Sequence, residues 1–346
     1  MKKKISILYT GGTIGMIKEG GNYVPAPPGY ISEALNGIQE LHRSDMPDFT
    51  IEEYTPVMDS ANMVPKDWVA IGEYIAKNYS FFDGFIVLHG TDTMSYTASA
   101  LAFMLKNLSK PVILTGAQIP LSELRSDGRD NIIAAAIIAQ KFEIPEVCLY
   151  FGEKLYRGCR SIKVNASGFG AFASPNYELL ANSGIEINVR NDLLLPMPSS
   201  DNVFEFIPFA TDIMITSIRI FPGISPQLLQ EIVSSPIQGL IIEAYGIGNI
   251  PESPQLLSIF EEAVKRDILI TVCSQCLLGE ISLEYYRGGS ALQKCGVVNG
   301  ADMTIEATLA KIMYLFTLKN DIAKKRLLMS KNLRGELSCE LYSTLI

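Results

Sequence analysis

Residues 85–98 read Phe85-Ile-Val-Leu-His-Gly-Thr-Asp-Thr-Met-Ser-Tyr-Thr-Ala98. A continuous apolar run gives way to a polar turn containing glycine, and helical spacing follows. Met94, Ala98, Leu101, Leu105 and Leu108 step by 4, 3, 4 and 3, which puts them on one helix face. The apolar run lacks in/out alternation, so it suits a parallel strand covered on both faces. Similar runs occur at residues 5–9, 112–114, 147–151, 240–242 and 268–272. Helical spacing returns at Ile305, Leu309, Ile312 and Phe316. Strands alternating with helices predict an α/β protein with a mostly parallel sheet.

The chain has 346 residues, a length that suggests about two domains. Residues 188–212 hold Pro196, Pro198 and Pro208 and have no sustained period. They read as a linker, placed at 191–212, between a larger N-terminal catalytic domain (1–190) and a smaller C-terminal α/β domain (213–346).

Composition excludes several function classes. The net charge is −8 with no basic block, which argues against nucleic acid as a partner. Only two histidines are present, too few for a three-histidine zinc site, and their surroundings lack the two-histidine metalloprotease motif. The six cysteines are too sparse for a disulfide framework. Cys273-Ser-Gln-Cys276 has neither a second such pair nor a nearby histidine, and reads as reduced, packed thiols. Lys2-Lys3-Lys4 precedes an apolar run that ends at Tyr9. That run is too short for a signal peptide or a membrane span, so a cytoplasmic protein is expected.

Each apolar strand runs out into glycine and small polar residues: Thr10-Gly-Gly-Thr13, His89-Gly-Thr-Asp-Thr93, Thr115-Gly-Ala-Gln118, Gly152-Glu153 and Tyr245-Gly-Ile-Gly-Asn249. Ligands of open parallel sheets bind outside the carboxyl ends of the strands, so these five ends predict one composite site. The first turn has neither P-loop nor dinucleotide-fold spacing. Thr91, Asp92 and Thr93 fall at a helix start, where one of them is expected to cap free N–H groups; three in a row exceed that need. His89, at a strand end, reads as a packed core residue rather than a triad member. If the chemistry is acyl transfer, the base is then a lysine, whose pKa burial or charge can lower.

These residues resemble those of bacterial-type L-asparaginases, most closely the cytosolic type I branch. The resemblance rests on Tyr9-Thr-Gly-Gly-Thr-Ile-Gly-Met16, His89-Gly-Thr-Asp-Thr-Met-Ser-Tyr-Thr-Ala98 and Leu124-Arg-Ser-Asp-Gly128. Gly168-Phe-Gly-Ala-Phe-Ala-Ser-Pro175, Tyr245-Gly-Ile-Gly-Asn249 and Asn332-Leu-Arg-Gly-Glu336 extend it along the whole chain. It implies an amidohydrolase that converts asparagine to aspartate and ammonia, with no metal or organic cofactor. Thr13 then matches the nucleophile, Tyr23 the tyrosine that closes over it, and Thr91, Asp92 and Lys163 the second threonine with its aspartate and lysine. Asp59 and Ser60 match the pair that holds the substrate's α-amino and α-carboxylate groups, and Ala117 the carboxamide-holding turn. Backbone N–H groups near Thr13 or Ala117 would hold the oxyanion. Either threonine could attack first, or water directly.

The resemblance also implies sites built from two subunits, with the turn ending at Asn249 lining a neighbour's site in a homodimer or homotetramer. Some type I enzymes carry a regulatory asparagine site with a threonine before the lysine and an arginine before the Tyr-Gly-x-Gly-Asn turn. This chain has Ile162 and Glu243 there. Other readings on the same fold are a glutamine-directed amidohydrolase, an ammonia-donating amidotransferase subunit, and a non-catalytic amino-acid sensor. A sensor is expected to have lost one of Thr13, Thr91, Asp92 or Lys163, and all four positions are filled.

Overall fold

The computed structural model describes residues 2–338, which divide into two compact units. Among the described residues, the first comprises residues 2–174 and 178–208, the second residues 175–177 and 209–338.

An eight-stranded sheet organises the first unit. Its strands in chain order are β1 (Lys4–Gly11), β2 (Asp48–Met58), β3 (Gly84–Leu88), β4 (Val112–Thr115), β5 (Val147–Phe151), β6 (Lys154–Arg157), β7 (Ala181–Ser183) and β8 (Ile187–Val189). In space the order is β2-β1-β3-β4-β5-β6-β7-β8. The pairings from β2 to β5 are parallel, and those from β5 to β8 antiparallel. The mostly parallel sheet expected from the unalternating runs is therefore present, and β3, β4 and β5 are buried along their whole length. The chain passes from β1 to one neighbour, β2, and then to the other, β3. That reversal makes a crevice beside the carboxyl ends of β1 and β3, where open α/β sheets bind ligands.

Helix α1 (Met94–Met104) follows β3 and is buried on nearly every side. It is shorter than the spacing of Met94 to Leu108 predicts. Leu105–Lys106 leaves the helix and pairs antiparallel with Glu205–Phe206, and Asn107 takes a left-handed φ of 58°. The periodicity ran on past the helix because both elements bury leucine.

The proline-rich stretch is tied to the first unit. Arg157 and Glu146 form a buried ion pair at 2.6 Å. Arg157 also donates to the Leu193 carbonyl, and Glu146 accepts the Leu195 N–H. Residues through Pro208 thus pack with that unit.

The second unit has a four-stranded, all-parallel sheet of β9 (Ile215–Arg219), β10 (Gly239–Ala244), β11 (Leu269–Ser274) and β12 (Val298–Asn299), in sequential order. Its core gathers Leu240, Ile242, Ile270 and Val272 with Leu256, Ile259 and Phe260 of the helix Pro254–Lys265. Helix α2 (Ile305–Thr317) carries Lys311, which meets Glu336 at 2.6 Å with both side chains fully buried. Glu336 also accepts the N–H groups of Leu333 and Arg334. The Asn332-Leu-Arg-Gly-Glu336 motif is thereby a structural clamp. Removing one partner of such a pair strands a buried charge, which typically costs about 3–5 kcal/mol.

Cys148, Cys159, Cys273 and Cys295 are buried free thiols, and burial pushes Cys273 up to about 12. Cys276 is exposed, which corrects the expectation that both thiols of the C-x-x-C are packed. Cys339 lies outside the described residues.

Glu306, near the start of α2, is buried, and its Oε2 has no hydrogen-bond partner. Burial pushes its carboxyl up from 4.5 to about 7, and Glu243 adds repulsion. A folded pKa above the unfolded one means stability that is complete below about 4.5 and lost as pH rises toward 7. Wild type and Glu306→Gln are therefore expected to melt alike at pH 5. At pH 8 the wild type should be weaker by on the order of 3 kcal/mol, read from paired melting curves. A gap that does not widen with pH would contradict this account.

Candidate active site

The site grows from three chain segments forced together at the crevice between β1 and β3. Gly12 sits at φ 91°, and a Cβ on it would lie 2.3 Å from the Gly90 Cα. A Cβ on Gly90 would lie 2.4 Å from the Ser60 Oγ. Both positions are closed to a Cβ, so the turns after β1 and β3 nest backbone against backbone, and the Ser60 side chain of the turn after β2 packs directly on Gly90. Thr13 opens a 3-10 turn directly after β1. Asp59 and Ser60 follow β2, and Thr91 and Asp92 follow β3.

Lys163 enters from a short hairpin in which Ile162–Lys163 pairs antiparallel with Phe172–Ala173. Tyr156 holds that hairpin by donating its hydroxyl to the Phe172 carbonyl at 2.8 Å. The Lys163 ammonium lies 2.9 Å from Thr91 Oγ1 and 2.7 Å from Asp92 Oδ1. The lysine side chain is 21% exposed and the aspartate 64%. An ion pair this open contributes at most about 1 kcal/mol to stability, so the cluster is poorly explained as a device for holding the fold.

The expected cap does not form. Thr93 occupies the N-cap position of α1 without a side-chain capping bond; its hydroxyl donates to the Ser60 carbonyl at 2.7 Å. All three polar residues of the turn are spent on the crevice: Thr93 on the Ser60 backbone, Asp92 on Lys163, and Thr91 on both Lys163 and Gln118.

His89 is fully buried, with Nδ1 2.7 Å from the Gly90 carbonyl and Nε2 2.8 Å from the Thr97 hydroxyl. Burial lowers its pKa to about 4. The neutral ring is a packed core residue, as its place in the sequence suggested.

Ala117 is buried in the turn after β4. The carboxylate of Asp127 accepts the next two N–H groups, those of Gln118 (3.0 and 3.1 Å) and Ile119 (3.0 Å). Both donors are thereby withdrawn as oxyanion holders. Tyr23 is 47% exposed on the hairpin of Met16–Glu19 with Asn22–Pro25. Its hydroxyl donates to Glu123 Oε1 at a long 3.4 Å, not to Thr13. Asp59 accepts the Ala61 N–H at 3.0 Å. Asn249 belongs to the second unit, where it closes a tight turn with Tyr245.

The chain matches the family described as Asparaginase, N-terminal over residues 4–195 and the Glutaminase/Asparaginase C-terminal domain over residues 214–329. This chain belongs to the asparaginase family. It is 47% identical over 337 residues to L-asparaginase 1 of Escherichia coli (strain K12), a match covering 97% of this chain and 98% of that protein. The crystal structure of L-asparaginase I from Vibrio cholerae is similar with a TM-score of 0.92 at 43% identity, covering 98% of this chain and all of that one. The thermostable L-asparaginase from Thermococcus kodakarensis follows with a TM-score of 0.88 at 32% identity, covering 97% and 100%. The two parallel-sheet units are thus the asparaginase fold.

Gln118 and Asp127 lie in motifs quoted for the family resemblance or the strand ends, yet sequence reading gave neither a role. Asp127 directly precedes the helix Gly128–Lys141, which reads as an ordinary cap. Its carboxylate turns instead to the 117–119 turn and makes no side-chain cap bond to its own helix.

Proposed function

We propose that this protein is a cytoplasmic L-asparaginase that hydrolyses L-asparagine to L-aspartate and ammonia through an ester on Thr13. The observation that supports the reading is the contact of the Lys163 ammonium with both Thr91 and Asp92, in the turn against which Gly12, the residue before Thr13, packs through Gly90. A threonine hydroxyl needs a neighbour to take its proton; Tyr23 would relay it, while the Lys163 cluster fixes Thr91 and sets a positive charge in the crevice.

In the first half-reaction the Thr13 oxygen attacks the carboxamide carbon, and its proton passes to the Tyr23 hydroxyl, which hands its own proton on. The carbon–nitrogen bond then breaks as the departing nitrogen takes a proton, leaving a β-aspartyl ester and ammonia. Water, deprotonated through the same relay, cleaves the ester, releasing aspartate and restoring the Thr13 hydroxyl. With the Gln118 and Ile119 donors committed to Asp127, the oxyanion falls to the remaining N–H groups near Thr13 or Ala117, a contribution of typically ~3 kcal/mol. Asp59 and Ser60 hold the α-amino and α-carboxylate groups, and the Ala117 turn holds the carboxamide. Tyr23 reaches Thr13 when its hairpin exchanges the long Glu123 bond for the substrate-bound position. The reading carries a homo-oligomer, dimer or tetramer, in which Asn249 of another copy borders the site.

A coupled ammonia assay over a range of asparagine and glutamine concentrations tests it. Faster turnover of asparagine is expected, with a hyperbolic curve, because Ile162 and Glu243 replace the effector-site residues. Preference for glutamine would make the protein a glutaminase. Tight asparagine binding without ammonia would make it a sensor.

A further inference from the structure

Thr91 has a second partner besides Lys163. Its Oγ1 lies 3.2 Å from Gln118 Oε1, while Gln118 Nε2 lies 3.1 Å from the Gly168 carbonyl and 3.5 Å from that of Ala166. Carbonyl oxygens only accept, so the amide has one workable orientation: Nε2 toward Gly168, and Oε1 toward Thr91. The reverse would set oxygen against oxygen. Since Oε1 only accepts, the Thr91 hydroxyl must donate to it. Its lone pairs are then left to accept from the Lys163 ammonium, which also donates to Asp92. Gln118 is anchored at the backbone as well, by its N–H bonds to Asp127. Each hydrogen bond from Gly168 through Gln118, Thr91 and Lys163 to Asp92 thus has an assigned direction.

We propose that Gln118 is a positioning residue for the hydrolysis: its locked amide draws the Thr91 proton to one side and aims the Thr91 oxygen at Lys163. This rests on the asparaginase reading. Without Gln118 the hydroxyl is free to rotate, and Thr91 spends part of its time with its proton turned toward Lys163, breaking the Lys163 contact. Substrate contacts at Asp59 and Ser60 are untouched, so the loss falls on turnover rather than on binding.

The test compares full-length wild type with Gln118→Met and Gln118→Glu, measuring kcat and KM for asparagine by ammonia release alongside melting curves. Methionine fills the space without polarity. Glutamate keeps an oxygen that accepts from Thr91 but loses the donors to Gly168 and Ala166. Gln118→Met is expected to lower kcat roughly 10- to 100-fold, with KM within about twofold. Gln118→Glu is expected to keep kcat within about fivefold of wild type. Wild-type kcat in Gln118→Met overturns the role. Equal losses in both variants also overturn it, since Gln118 would then only prop the loop. If Gln118→Met does not fold, a loss well beyond fivefold in a folded Gln118→Glu is the overturning result. Absence of ammonia release by the wild type defeats the asparaginase reading itself, before any variant is compared.

Discussion

Thr13→Ala is expected to abolish ammonia release from asparagine, a loss of at least about 10³-fold in kcat, as for other residues that act as a nucleophile in a coupled unit. The fold should survive. Thr13 sits in a one-turn 3-10 segment and is only half-buried, and its backbone path is dictated by Gly11 and Gly12 before it. Losing a hydroxyl and a methyl there costs under about 1 kcal/mol, so melting should shift by no more than a few degrees. Thr13→Ser keeps the hydroxyl and should retain measurable turnover. The discriminating outcome is an alanine variant that still turns over asparagine at the wild-type rate: Thr91 or water would then be the attacking group, and Thr13 a wall of the crevice.

The strands were readable because a buried parallel strand has no choice of composition. Residues 112–114 and 147–151 are covered on both faces and read as apolar runs, and residues 5–9 do so with Ser6 as the one buried polar exception, which leaves a near-continuous signal. The end of α1 was not readable. Leu105 continues the helical spacing but is buried in a two-residue strand against Phe206, and burial looks the same to a periodicity argument whichever element provides it. The proline-rich stretch looked like a linker because its anchors are backbone groups, the Leu193 carbonyl and the Leu195 N–H, which leave no trace in side-chain pattern.

For the site, hydroxyls and a carboxylate beyond the needs of a cap drew attention to the turn after β3, where none of the three makes the expected cap. Which partners they take did not follow, because Ser60, Gln118 and Lys163 are 27 to 72 residues away in sequence from Thr91 and its neighbours. The glycine pair was legible as a tight turn, but its purpose lies in what it touches: Gly12 packs on Gly90, a contact between strand ends that only the sheet order brings together. Asp127 escaped for a related reason. A carboxylate before a helix satisfies a local rule, and the local rule hid the longer-range task.

Lys163→Met separates catalysis from stability more sharply than any other replacement in the crevice. The Lys163–Asp92 pair is open to solvent on the aspartate side, so Asp92 is rehydrated when the lysine leaves, and stability should fall by no more than about 1 kcal/mol. Lys311 makes an ion pair of nearly the same length, 2.6 Å against 2.7 Å, yet at full burial; there the abandoned carboxylate finds no water and the fold bears the loss. Activity is expected to respond in the opposite sense to exposure. Without Lys163, Thr91 loses the donor that fixes its oxygen and the crevice loses its positive charge, which should lower kcat by roughly 10²- to 10³-fold. Lys163→Arg should not restore it, because a guanidinium spreads its donors over a planar fork that does not match the point contact of an ammonium with Thr91 and Asp92. Kinetics and melting of both variants decide the matter: near-wild-type turnover in the methionine variant would remove Lys163 from the mechanism, and rescue by arginine would reduce it to a fixed positive charge.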